Sequence, residues 1–239
     1  MLASVLSFSL FGAEAPPPVS PFLIRPGVNS TAAITPVGVT LVSYGYSSDG
    51  TQQYLTGLYE YGVWSHIAVL VIAPHFTSKD GNAGIGDTSV GVKVRMFEPK
   101  KYRPALSAYY AYKEPTGTNH NSTGFADHKA ILYADQFIGK TRISANMATI
   151  WCGQKGGYRM QYLPSVGVIA PYYGRFGAAV QTYYSYSTTK YGGVLVTPTI
   201  HLTRNVVFFA GVDLKHTNAG LTKCYLSGIT MIHRPKRHA

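Results

Sequence analysis

Apolar and polar residues take turns over much of this chain. In the stretch 89–97, Val90, Val92, Val94 and Met96 alternate with Ser89, Gly91, Lys93 and Arg95. Side chains of a β-strand point to opposite faces with period two, so this stretch predicts a strand with one greasy and one polar face. The same alternation runs through 103–113, where Leu106, Ala108, Tyr110 and Tyr112 oppose Arg103, Ser107, Tyr109 and Lys113. It returns in 158–172, 175–187 and 205–216. Helical periodicity nowhere persists for three turns. The pattern predicts twelve strands, near 37–47, 52–63, 66–76, 87–97, 102–113, 125–138, 141–152, 158–172, 175–187, 192–202, 205–216 and 223–234. Most are close to the roughly 9–11 residues that cross a bilayer at a tilt. Strands 37–47, 66–76 and 223–234 show no clear alternation.

The connections separate two architectures. Breaks after even-numbered strands are short: VWSH, FEPKKYR, IGKT, YYGRF and LTRN. Breaks after odd-numbered strands are usually longer and rich in Gly, Asn, Ser and Thr, as in TSKDGNAGIGD, EPTGTNHNSTGFAD, CGQKGGYR and HTNAGLTK. An up-and-down outer-membrane barrel has tight periplasmic turns and longer outer loops. A Greek-key sandwich has no reason to keep this rhythm. Aromatic residues beside the short turns (Trp64, Phe97, Phe137, Tyr172, Tyr173 and Phe176) suit an interfacial girdle. The fold expected is therefore an all-β, closed antiparallel barrel of about twelve strands, with Val90, Val92, Val94 and Met96 facing lipid.

The opposite face then lines a lumen. It carries Lys93, Arg95, Arg103, Lys113, Lys129, Arg142, Arg159 and Lys215, with Glu60, Asp127, Asp135 and Asp213 as the acids. A net positive lumen in a low-dielectric wall draws in anions. Lys93, Arg95, Arg103, Lys129, Arg142, Arg159, Asp213 and Lys215 are the candidate solute-pathway residues. The competing reading is a cross-lumen ionic network that braces a closed barrel.

The 239 residues carry a formal net charge of +11, but only 13% are charged, and Gly (25) and Tyr (19) are abundant. That composition argues against a helix-rich cytosolic enzyme. No nucleic-acid fingerprint accompanies the basic balance. Residues 1–15 read as a secretory signal, with an apolar run at 6–11 and a small-x-small site at Ala13-Glu14-Ala15. Residues 16–36 are Pro-rich and aperiodic, and the barrel is expected from 37 to 239. The two cysteines, Cys152 and Cys224, fall at the outer ends of their strands, and in an exported chain they can pair. Metal-ligand spacing is absent, no cofactor is implied, and GKT at 139–141 lacks the rest of a phosphate loop. The chain is expected not to be an enzyme. A lipid-hydrolysing barrel would need a Ser–His pair, for which Ser165 and His201 lie on inward faces. A secreted lipocalin-like cup is the other rival.

The segments RPGVNSTA, GIGDTSVGVKVRMF (84–97) and RPALSAYYAYKEPTG (103–117) resemble the bacterial outer-membrane family labelled for the MetA pathway of phenol degradation. Gly84, Gly86, Asp87, Lys93 and Pro115-Thr116-Gly117 carry the resemblance. It implies an outer-membrane barrel that helps take up hydrophobic or aromatic compounds. The expected partners are outer-membrane lipid, lipopolysaccharide and a small solute, with the protein a monomer and no nucleic acid involved. One feature departs from many such barrels: the chain ends MIHRPKRHA, without a terminal aromatic residue.

Overall fold

The computed structural model describes residues 32–79, 82–100, 102–118, 121–170, 173–187, 190–217 and 220–234. It contains β1 (Thr40–Ser48), β2 (Gln52–Trp64), β3 (Ile67–Lys79), β4 (Asn82–Gly84), β5 (Thr88–Phe97), β6 (Ala105–Glu114), β7 (Asp127–Ile138), β8 (Thr141–Gln154), β9 (Gly157–Ile169), β10 (Phe176–Ser185), β11 (Tyr191–Thr203), β12 (Val206–Thr217) and β13 (Gly220–His233). All but β4 are staves of one barrel, and each stave pairs antiparallel with its neighbours in the chain. The ring closes where β1 meets β13, from Thr40–His233 to Ser48–Tyr225. Closure leaves no open edge, as hydrocarbon demands.

Sidedness follows the alternation. Val90, Val92, Val94 and Met96 are 52%, 42%, 38% and 46% exposed on the outer wall, while Lys93 between them is 1% exposed inside. Val168 is likewise exposed, so no second sheet covers this face. The three strands without clear alternation have apolar residues on both faces. In β3, Val69 and Val71 point out while Leu70 and Ile72 are buried inside. In β13, Tyr225 and Met231 point out and Leu226 points in.

The connections differ from expectation at the outer end. CGQKGGYR shrinks to a turn at 155–156, where Gly156 takes φ +89°, because β8 and β9 continue past the bilayer-spanning length. HTNAGLTK is largely absorbed into β12 and β13. In TSKDGNAGIGD, β4 pairs with the tip of β3 as an added arm. At the other rim Trp64, Phe97, Tyr173 and Phe176 are exposed as a girdle requires. Phe137 is instead half-buried and shares the inward parity of Tyr133 and Asp135. Tyr172 and the expected signal segment lie outside the described residues.

The closure is directly testable. Val42 and Met231 are cross-strand partners on the outer wall, with side chains about 5 Å apart in such pairs. In a Cys152→Ser, Cys224→Ser background, Val42→Cys with Met231→Cys should be joined by a short bifunctional thiol reagent. The product should be a ring that keeps folded gel mobility. Absence of that product, with both thiols reactive, would contradict the β1–β13 seam.

Candidate functional site

The lumen is built from the inward residues of every stave. Lys93, Lys129, Arg142, Asp213 and Lys215 are all buried there. Arg95 and Arg159 are on the same face but half-buried near opposite rims. Arg103 is a correction. Pro104 ends the strand pattern, and Arg103 sits exposed in the β5–β6 turn, with its guanidinium over the Phe97 ring at 5.4 Å and Nη2 donating to the Glu98 carbonyl. The cysteine pairing is a second correction. Cys152 and Cys224 are both free and buried. They lie on β8 and β13, five staves apart around the ring, so strand-end position alone could not bring them together.

Three lumen lysines rest on tyrosine rings. Lys93 Nζ is 4.7 Å from the Tyr133 centroid, Lys129 Nζ 6.0 Å from Tyr109, and Lys215 Nζ 4.4 Å from Tyr191. A ring face attracts a cation, by about 0.5–2 kcal/mol depending on desolvation. Glycines let rings lie flat on the wall: a Cβ on Gly91 would meet the Tyr109 ring at 2.6 Å, and one on Gly193 the Tyr183 hydroxyl at 2.4 Å. The Tyr183 hydroxyl donates to the Asp213 carboxylate, 2.8 and 2.9 Å from its two oxygens. On β8–β10, the amides of Asn146 and Gln181 both donate to Ser165 Oγ, at 3.4 and 2.8 Å. Their carbonyl oxygens stay buried without a hydrogen-bond partner.

The Pro-rich segment before β1 is aperiodic in sequence. Residues 32–36 in fact enter the lumen. The Ala32 amide donates to Asp135 at 2.9 Å, the Ser107 hydroxyl donates to the Ala32 carbonyl at 2.6 Å, and Thr35 Oγ1 donates to Glu60. The strap thus runs as a chord from β2 to β6 and β7. Gly38, at φ +74°, turns it back into β1. Gly62 permits its close approach, since a Cβ there would stand 2.1 Å from the Pro36 carbonyl oxygen.

At the outer mouth, the motif residues gather into one knot. Asp87 accepts hydrogen bonds from the Gly117 amide at 3.0 Å, the Thr123 amide at 3.0 Å and the Thr123 hydroxyl at 3.1 Å. Lys113 bridges Asp87 at 3.2 Å and Asp127 at 2.6 Å. Asp127 in turn accepts from the Gly153 amide. Burial works against the Asp87 charge. Hydrogen bonds from Ser122, Thr123 and Gly117 and the Lys113 cation more than offset it, so the carboxyl titrates below its ordinary value.

The strand register also bears on the hydrolase rival. Ser165 pairs with Tyr183, and Tyr183 with Gly193, eight residues along β11 from His201. At about 3.3 Å per residue that separation is about 26 Å, too far for a Ser–His pair.

No family model and no curated protein matches the chain. Solved structures do. The COG4313 outer membrane channel from Pseudomonas putida F1 superposes with a TM-score of 0.64 at 13% identity, over 84% of this chain and 97% of that one. The NanC porin gives 0.61 at 10% identity, over 80% and 98%, and the KdgM porin in complex with disordered oligogalacturonate gives 0.60 at 9%, over 80% and 98%. At these identities the likeness establishes the architecture: a twelve-stave outer-membrane β-barrel.

The knot predicts a pH response. A depressed carboxylate contributes stability above its unfolded pKa of about 3.9 and loses it as pH falls through the folded value. Resistance of the β6–β7 connection to limited proteolysis should hold down to about pH 4 and fall below it. Asp87→Asn should be protease-sensitive already at pH 7, with little further change on acidification. An unchanged profile in the variant would dismiss Asp87 as the knot's centre.

Proposed function

We propose that this barrel sits in the outer membrane as a monomer, among phospholipid and lipopolysaccharide, and moves small solutes passively. Aromatic and anionic solutes are the class its lumen suits. The observation that carries the reading is the set of lysine–tyrosine stacks at Lys93–Tyr133, Lys129–Tyr109 and Lys215–Tyr191. A carboxylated ring passing them meets cation, ring face and hydroxyl together. Among the described residues, inward cations outnumber inward carboxylates: Lys93, Arg95, Lys113, Lys129, Arg142, Arg159 and Lys215 against Glu60, Asp87, Asp127, Asp135 and Asp213. A low-dielectric wall focuses that excess along the path. Spare amide oxygens at Asn146 and Gln181 supply acceptors for water or a solute hydroxyl. The strap crosses the lumen between Glu60, Ser107 and Asp135, an obstruction that suits small solutes better than oligomers. Uptake in the service of aromatic-compound breakdown, as the resemblance of 84–117 implies, fits this reading.

Planar-bilayer conductance tests it. Lys93→Glu with Arg95→Glu should abolish or reverse anion preference, read as a shift in reversal potential under a salt gradient. Arg103→Glu, at the exposed rim, should shift it far less. An unchanged reversal potential in the double variant would remove Lys93 and Arg95 from the solute path.

A further inference from the structure

The lipid-facing wall is not evenly filled. A groove of about 580 Å³ crosses β11, β12, β13 and β1 on that side. Ala210 and Ser227 lie at its centre, Val196 and Pro198 line its β11 side, and Tyr46 and Tyr225 rise beside it. The register explains the hollow. Ala210 pairs with Ser227, and Ser227 with Tyr46. Two small residues therefore adjoin on an outward face where most staves present Val, Leu, Met or an aromatic ring. The volume falls in the roughly 300–1,000 Å³ range of small-ligand sites. In a bilayer such a hollow does not stay empty. A void forfeits the dispersion contacts of its lining, and a flexible acyl chain is the filler that the medium supplies.

What stands above the groove selects the owner of that chain. Toward the outer rim, the outward pair Val212–Tyr225 is followed by Leu214–Lys223 and then by His216–Leu221. Lys223 thus stands about 7 Å beyond Tyr225 on the same face, at about 3.3 Å per residue. It is exposed, and among the described outward positions of the staves it is the one Lys or Arg. Among the described residues, no ion pair engages it. Asp49, the acid just past β1 at this level, is committed to its own turn, where it accepts from the Thr51 and Gln52 amides at 3.0 and 2.8 Å.

A snorkelling lysine by itself only anchors a stave. Here an ammonium, two tyrosine hydroxyls and an apolar groove share one face, in the order in which an anionic amphiphile presents its parts. The head points to the rim and the chain to the bilayer centre. The rim is the outer one, where the amphiphile is lipopolysaccharide. We propose that this face holds one molecule of lipid A, with a glucosamine phosphate on Lys223 and an acyl chain laid in the groove beside Tyr46 and Tyr225. The proposal rests on the barrel's place in the outer membrane and not on what passes through its lumen.

Native mass spectrometry tests it, on the barrel released from phosphatidylcholine nanodiscs doped with bis-phosphorylated lipid A. The unmodified barrel should carry one lipid A. Lys223→Glu should lower that occupancy about fivefold or more, and Lys223→Arg should keep it. Ala210→Leu with Ser227→Leu, which fills the groove with apolar bulk, should lower it as much. Lys140→Glu, the same charge reversal in an exposed turn at the other rim, should leave it unchanged. With dephosphorylated lipid A, the penalty of Lys223→Glu should vanish while that of the filled groove remains. Folded gel mobility checks that each variant is a barrel. Removing the phosphates should itself cost the unmodified barrel about fivefold, a comparison that needs no variant to fold. Undiminished occupancy in Lys223→Glu, in the filled groove or with dephosphorylated lipid A would overturn the site. Equal retention of dioleoylphosphatidylglycerol at the same concentration would also overturn it, by making the face a general anchor for phosphate headgroups. A dimer mass that the filled groove abolishes would do so too, by making the occupant a second copy of the chain. None of these readings uses the lumen, so failure of the channel reading leaves them untouched.

Discussion

Backbone hydrogen bonding in hydrocarbon governs this molecule. An unpaired N–H or C=O costs several kcal/mol where no water reaches it. The chain meets that demand by closing a ring, with β13 returning to β1. Once the ring is closed, the side chains have only two places to go. The period of two then sorts them into an apolar exterior and an interior of lysine, tyrosine and hydroxyl groups. The strap, the lysine–tyrosine stacks and the mouth knot are all consequences of having a polar interior to furnish.

The β3–β5 ladder departs from the rule: it ends at Ile72–Ser89, and the tip of β3 pairs instead with β4. The departure is not a random defect. Pro74 removes a donor, Gly86 removes a side chain, and Asp87 anchors the opposite segment to the loop. The residues of the 84–117 resemblance thus shape the outer mouth and one flank of the wall. The strap occupies the other end of the lumen, tied to Glu60, Asp135 and Ser107.

Much of this was legible in residue order, and the misses have physical causes. The stretch 89–97 declared both faces because its exterior is aliphatic and its interior small or charged. Strand 66–76 could not, because Leu70 and Ile72 make its inner face as apolar as its outer one. Arg103 followed the parity of its strand on paper, but Pro104 had already ended that strand. The free thiols of Cys152 and Cys224 reflect distance around a circumference, which strand-by-strand parity does not encode. The strap was invisible for a related reason: Ala32 meets Asp135 across 103 residues of chain, and no local pattern records such a contact.

The most direct test of sidedness is a nitroxide scan of single cysteines along 89–97 in lipid bilayers. Oxygen concentrates in acyl chains, and a charged nickel chelate stays in water. Labels at 90, 92, 94 and 96 should collide most with oxygen, and labels at 89, 91, 93 and 95 should not. A reversed pattern, or Val90 and Val92 shielded from oxygen and chelate alike, would mean that the aliphatic face is a protein core.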